Sequence, residues 1–132
     1  MNMKRRTYLK TVLAVATCSS LKGAPRQGRP IQLHLDLSVS SAREQELVHY
    51  FNTVFKPAAA KFPGYIDVRM IKLRNALQGT APNGLKYRWM LQYESEELRQ
   101  KWIASDVHQK VWPPMERMLS SMDYSVLLFD AT

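Results

Sequence analysis

The side chains able to move protons near neutral pH are few. The 132-residue chain holds three histidines, His34, His49 and His108, and one cysteine, Cys18. A free imidazole titrates close to neutrality, so a histidine beside a bound molecule can take up or return a proton. The three histidines do not follow a metal-ligand spacing, and the sequence contains no HExxH, CxxC, Gly-rich phosphate loop or nucleophile elbow. His108 precedes Trp112 by one helical turn, which places both on one helix face. It is either a proton shuttle beside a pocket or a helix-face histidine hydrogen-bonded to a sheet or loop. His34 and Asp36 alternate onto one strand face. The carboxylate either orients the imidazole as a base or joins Arg69 or Arg88 in a buried polar cluster at an interface. The catalytic candidates are therefore His108 and His34, with no metal site. Trp89, Trp102, Trp112, Tyr50 and Tyr87 either line a cavity for a small apolar or aromatic molecule or fill the core. As substrate-binding candidates we take Trp102, Trp112, Trp89 and Tyr50.

These residues need elements to position them. Ile31, Leu33, Leu35, Leu37 and Val39 alternate with polar residues and predict a half-buried strand. Ser41 with Glu44 reads as a capping box that opens a helix carrying Leu47, Tyr50, Phe51, Val54 and Ala58. Pro57 should bend or restart that helix, and Pro63-Gly64 should end it. A second strand is expected over 65–74, with Ile66, Val68 and Met70 on one face and Asp67, Arg69 and Ile71 on the other. Pro82-Asn83-Gly84 marks a turn before a third strand over 85–93. Ser95 caps a second helix, Ser105-Asp106 re-caps it, and Pro113-Pro114 should disturb its continuation. A last strand is expected over 124–130. The order β-α-β-β-α-β predicts an α+β, ferredoxin-like domain: an antiparallel sheet with two helices on one face. The other face would carry His34, Asp36, Asp67, Arg69, Ile71, Arg88, Met90 and Gln92, a mixture that a two-fold homodimer would cover.

The net charge of +8 is not spread over this domain. Seven of the 19 basic residues (Lys4, Arg5, Arg6, Lys10, Lys22, Arg26 and Arg29) precede residue 31, where there is no acid. Residues 31–132 hold the other 12 against all 11 acids, so the domain is nearly neutral and nucleic acid is not an expected partner. Arg5-Arg6-Thr7-Tyr8-Leu9-Lys10 followed by the apolar run from Leu9 to Leu21 resembles a twin-arginine signal. The run is too short for a membrane span of about 20 residues. We expect a signal peptide over 1–24, a linker over 25–30 and the working domain over 31–132, exported to the periplasm or beyond. Thr17 before Cys18 is bulkier than the small residue usual in a lipoprotein box, which argues against a lipid anchor there. The domain itself has no cysteine, as suits an oxidising compartment.

Tyr93-Glu94-Ser95-Glu96-Glu97 and then Trp102-Ile103-Ala104-Ser105-Asp106-Val107-His108-Gln109-Lys110 resemble the second-helix signature of the antibiotic biosynthesis monooxygenase family. The resemblance extends over nearly all of 31–132 in element order. It implies a dimeric α/β barrel and either cofactor-independent oxygenation of an aromatic molecule or, as the alternative, a non-catalytic dimeric binding or stress-related module. The family's haem-degrading branch has a tryptophan where Trp102 stands, but its histidine position falls on Trp112, which cannot ligate iron, and its asparagine position at or beside His34. The resemblance therefore implies no haem and no other cofactor.

Overall fold

A computed structural model of the chain describes residues 29–132. The expected signal peptide, Cys18 and the linker up to residue 28 lie outside the described residues. Strand β1 spans Ile31–Leu37. Helix α1, Glu44–Tyr50, runs into a π-helical turn, Phe51–Phe55, and then into α2, Lys56–Ala59. Strand β2, Tyr65–Lys72, and β3, Tyr87–Tyr93, are followed by α3, Glu96–Ala104, and α4, Asp106–Met118. Strand β4, Val126–Asp130, closes the order. The sheet runs β2-β3-β1-β4 with every neighbouring pair antiparallel. This is the ferredoxin-like α+β arrangement that the sequence predicts.

Alternation in β1 and β3 sorts the two sheet faces. Ile31, Leu33, Leu35 and Leu37 and their partners Tyr93, Leu91, Trp89 and Tyr87 are buried beneath the helices. The even-numbered residues between them form the uncovered face. Leu47, Phe51, Phe55, Trp102, Val111 and Met115 press down from the helical layer.

Four local expectations are corrected. Ser41 and Glu44 form no capping box: α1 begins after Arg43 without a side-chain cap. The Glu44 carboxylate instead accepts the Tyr87 hydroxyl at 2.7 Å and pairs with Lys72 and Lys86, so it cannot reach back to the helix start. Along the first helical arm, Phe55 is fully buried while Val54 is exposed. An ordinary helix drifts by about 40° with each four-residue step. The wider π turn takes up that drift and holds Leu47, Phe51, Phe55 and Ala59 on one buried line. Pro57 lies in the first turn of the restarted α2, where its missing N–H is harmless. Ile66 lies outside the core, because a bulge between Tyr65 and Asp67 shifts the register of β2. Finally, α4 passes through Pro113 and Pro114 unbroken. The carbonyls left without a helical donor belong to Gln109 and Lys110, both exposed to water.

The turn at Pro82-Asn83-Gly84 forms as expected, with Leu85 N–H donating to the Pro82 carbonyl and Gly84 at φ +77. The strands start later or stop earlier than their sequence patterns. β4 begins at Val126 rather than Tyr124, which frees the tyrosine for the site described next.

Candidate functional site

Ser105 joins α3 to α4 and sets two aromatic rings against each other. Its hydroxyl donates to the Trp102 carbonyl at 2.7 Å and accepts the His108 N–H at 3.2 Å. The end of α3 and the start of α4 are thereby locked together. Trp102 is fully buried against Phe55 and Phe62, and His108 meets it edge-on with ring centroids 5.2 Å apart. One turn further along α4, Trp112 lies nearly parallel to His108 at 6.3 Å and also contacts Trp89 of β3 at 5.4 Å.

Between these rings and the sheet lies a cavity of about 240 Å³. Leu33, Leu35 and Trp89 form its floor, and His108 and Trp112 form its roof. Arg99, Ile103, Tyr124 and Val126 complete the wall. Only 8% of His108 is exposed. Burial and the nearby Arg99 charge hold its pKa below the ordinary 6.5, against a smaller pull upward from Glu116. The imidazole is therefore neutral near neutral pH and able to accept a proton. Its Nδ1 is buried without a hydrogen-bond partner, as are Trp89 Nε1 and Trp102 Nε1. Such orphaned polar atoms are uncommon in a finished core. The Tyr124 hydroxyl donates to Glu116 at 2.6 Å, and burial together with that carboxylate raises its pKa to about 12. Arg99 grips Glu96 through two N–H groups, at 2.6 and 2.7 Å.

The sequence candidates divide among three places. His108, Trp89 and Trp112 meet at the cavity. Trp102 supports His108 from behind and does not line it, while the Tyr50 hydroxyl donates to the Val111 carbonyl at 3.0 Å and ties α1 to α4. His34 is on the uncovered sheet face, with its Nε2 beside Gln32 Oε1 and its ring on Phe129. The sheet separates His34 from His108, so within one chain the two cannot act on one bound molecule. Asp36 is held by Arg88 at 2.7 and 3.2 Å, and the His34 Nε2 pairs with Gln32 rather than with it.

Arg99, Tyr124 and the leucines of β1 were not visible as site residues in the sequence. Arg99 and Ile103 are one turn apart and share a face of α3. That stripe, offset by one residue from Trp102, is the one facing the cavity. Trp112 offers no iron ligand, and His108 is the one imidazole on the described cavity wall. Among the described residues no three His, Cys, Asp or Glu side chains are grouped to hold a metal ion. No helix among them is long and apolar enough to cross a membrane.

No protein-family model and no curated protein matches the chain. Solved structures do. A candidate antibiotic biosynthesis monooxygenase from Caulobacter crescentus superposes with a TM-score of 0.64 at 15% identity, covering 80% of this chain and 92% of that one. SnoaB from Streptomyces nogalater, a cofactor-independent oxygenase solved as a mutant, gives 0.61 at 13% identity over 78% and 93%. An EthD family protein from Bacillus halodurans gives 0.60 at 16% identity over 78% and 99%. At these identities the likeness is one of architecture, and the chain has the ferredoxin-like fold of antibiotic biosynthesis monooxygenase-like proteins.

Proposed function

We propose that this domain takes up a small aromatic molecule in the cavity under α3 and α4 and oxygenates it without a cofactor, with His108 as proton acceptor. The observation that carries this reading is a neutral, nearly buried imidazole on the wall of an aromatic cavity. A cavity of about 150 Å³ is enough to hold benzene, so about 240 Å³ suits one substituted ring. The bound molecule supplies the electrons. Its O–H bond breaks and the proton passes to His108. A ring C–H carbon of the phenolate gives its electron pair to O₂ and forms a C–O bond, and the distal oxygen takes the proton back to give a hydroperoxide. Loss of water from that hydroperoxide (O–O and C–H bonds broken) leaves a quinone carbonyl. The protein contributes orientation and exclusion of water. The SnoaB likeness supports this chemistry as one that the architecture can host.

The last strand, β4, is an edge strand whose Val126, Leu127, Leu128 and Phe129 are each between 45% and 52% exposed. Long apolar edges are normally covered. A second copy of the chain over β4 and the outer sheet face would bury them and make a homodimer. The Arg5-Arg6 segment supports export of the folded domain by the twin-arginine route to the periplasm or beyond.

The test is uptake of ¹⁸O₂ by the purified domain with one-ring phenols, read together with the ¹⁸O label carried into the product. Uptake above the buffer rate that disappears in His108→Gln supports the proposal. Binding without uptake would replace it with a non-catalytic binding module.

A further inference from the structure

We infer that Arg99 makes the cavity selective for one-ring aromatics that carry an ionised oxygen, a carboxylate or a phenolate. This rests on reading the cavity as a ligand site and adds what the ligand must look like.

Among the described residues, Arg99 is the one positively charged side chain on the cavity wall. Its side chain is only 16% exposed, so its charge is weakly screened by solvent. Glu96 occupies Nε and Nη2 and fixes the plane of the guanidinium. The Nη1 hydrogens take no partner in those bonds, and a guanidinium offers five donors in a rigid fork. The rest of the described wall carries no second positive charge. Leu33, Leu35, Ile103 and Val126 are apolar, and Tyr124 spends its hydroxyl hydrogen on Glu116. An anionic oxygen inside this cavity has Arg99 as its one counter-charge. The same charge acts on His108, whose pKa it lowers, so it reaches across the cavity to the proposed proton acceptor. A phenolate formed by proton transfer to His108 would meet Arg99 as it forms.

Benzoate and benzamide separate charge from shape, because the two are nearly isosteric and differ by one unit of charge. Their binding to the purified domain is read from quenching of tryptophan fluorescence, since Trp89 and Trp112 line the cavity. The wild type should bind benzoate roughly tenfold more tightly than benzamide, as a charge-assisted hydrogen bond allows. Arg99→Gln should erase that preference and leave benzamide binding in place. Glu96→Gln should move the preference the other way, strengthening benzoate alone, because it releases the guanidinium from its carboxylate. This second variant decides the matter if Arg99→Gln fails to fold. Equal binding of both probes to the wild type, or a preference that survives Arg99→Gln, would overturn the inference and leave the cavity reading standing. Binding of neither probe would overturn both.

Discussion

The two ends of the helix-covered face present opposite kinds of hollow. At one end, Ser41, Glu44, Gln45, His49, Asn52, Lys72 and Tyr87 surround an open depression of about 620 Å³. Its charges are matched: Glu44 accepts the Tyr87 hydroxyl and pairs with Lys72 and Lys86. At the other end the cavity is less than half that size, and around it His108 Nδ1, Trp89 Nε1 and Trp102 Nε1 have no partner. Tyr87 and Trp89 are two residues apart on one strand, on the same face, yet one is satisfied and the other is not. Size alone would pick the wrong hollow. The satisfied cluster fastens α1 to the sheet, whereas Trp89 and His108 at the other end keep ring nitrogens with no partner in the fold.

The largest effect should come from Trp102, which holds the second end together. Trp102→Ala removes a fully buried indole beside Phe55, Phe62 and His108. It should cost about 3–5 kcal/mol in urea unfolding, against a domain stability of similar order. An effect below about 1 kcal/mol would mean that the aromatic cluster is not structural.

At the dimer face, Leu127→Lys together with Phe129→Lys should shift the mass in light scattering from dimer to monomer. A wild-type domain that is already monomeric at micromolar concentration would refute the assembly proposed for β4.

The two ends should also respond to acid over different ranges. His108 is held below its ordinary pKa of 6.5 in the folded domain, so the unfolded chain takes up a proton that the fold resists. Its contribution is therefore present above pH 6.5 and is lost as the pH falls through the lowered value. His34 is also lowered, by burial first and then by Arg88, so it adds to the same limb. Glu44 is held near 2 by its hydrogen bonds from Lys72 and Tyr87. Its contribution is present above about 4.5 and fades toward pH 2. His108→Gln should flatten the stability curve below 6.5, and Glu44→Gln should flatten it only below 4.5. If the two variants altered the same pH range, the division between the ends would be lost.

Much of this division could be read from the residues. Strict alternation in Ile31–Leu37 and Tyr87–Tyr93 fixes which face meets the helices, because a one-residue slip would bury every polar side chain. Ser95 and Ser105 announce their helices by side-chain caps, and both caps form. The one-turn spacing of His108 and Trp112 correctly places their rings together. Long-range partners escape such reasoning. Nothing local to Glu44 says that its carboxylate will leave the helix start for Tyr87, Lys72 and Lys86. Phase was missed where the π turn moves Phe55 inward and Val54 outward, since a 3.6-residue period was assumed throughout. Arg99 and Tyr124 escaped because a cavity is made by elements that meet only in the fold.

The most direct test of the central claim is titration of the ¹⁵N-labelled domain with phenol. Shifts confined to the indole N–H signals of Trp89 and Trp112 and the ring signals of His108, with the amides of Ser41, Gln45, His49 and Asn52 unmoved, are the predicted result. Shifts at those four amides with unmoved indoles would contradict it, because the guest would then occupy the larger hollow beside Glu44.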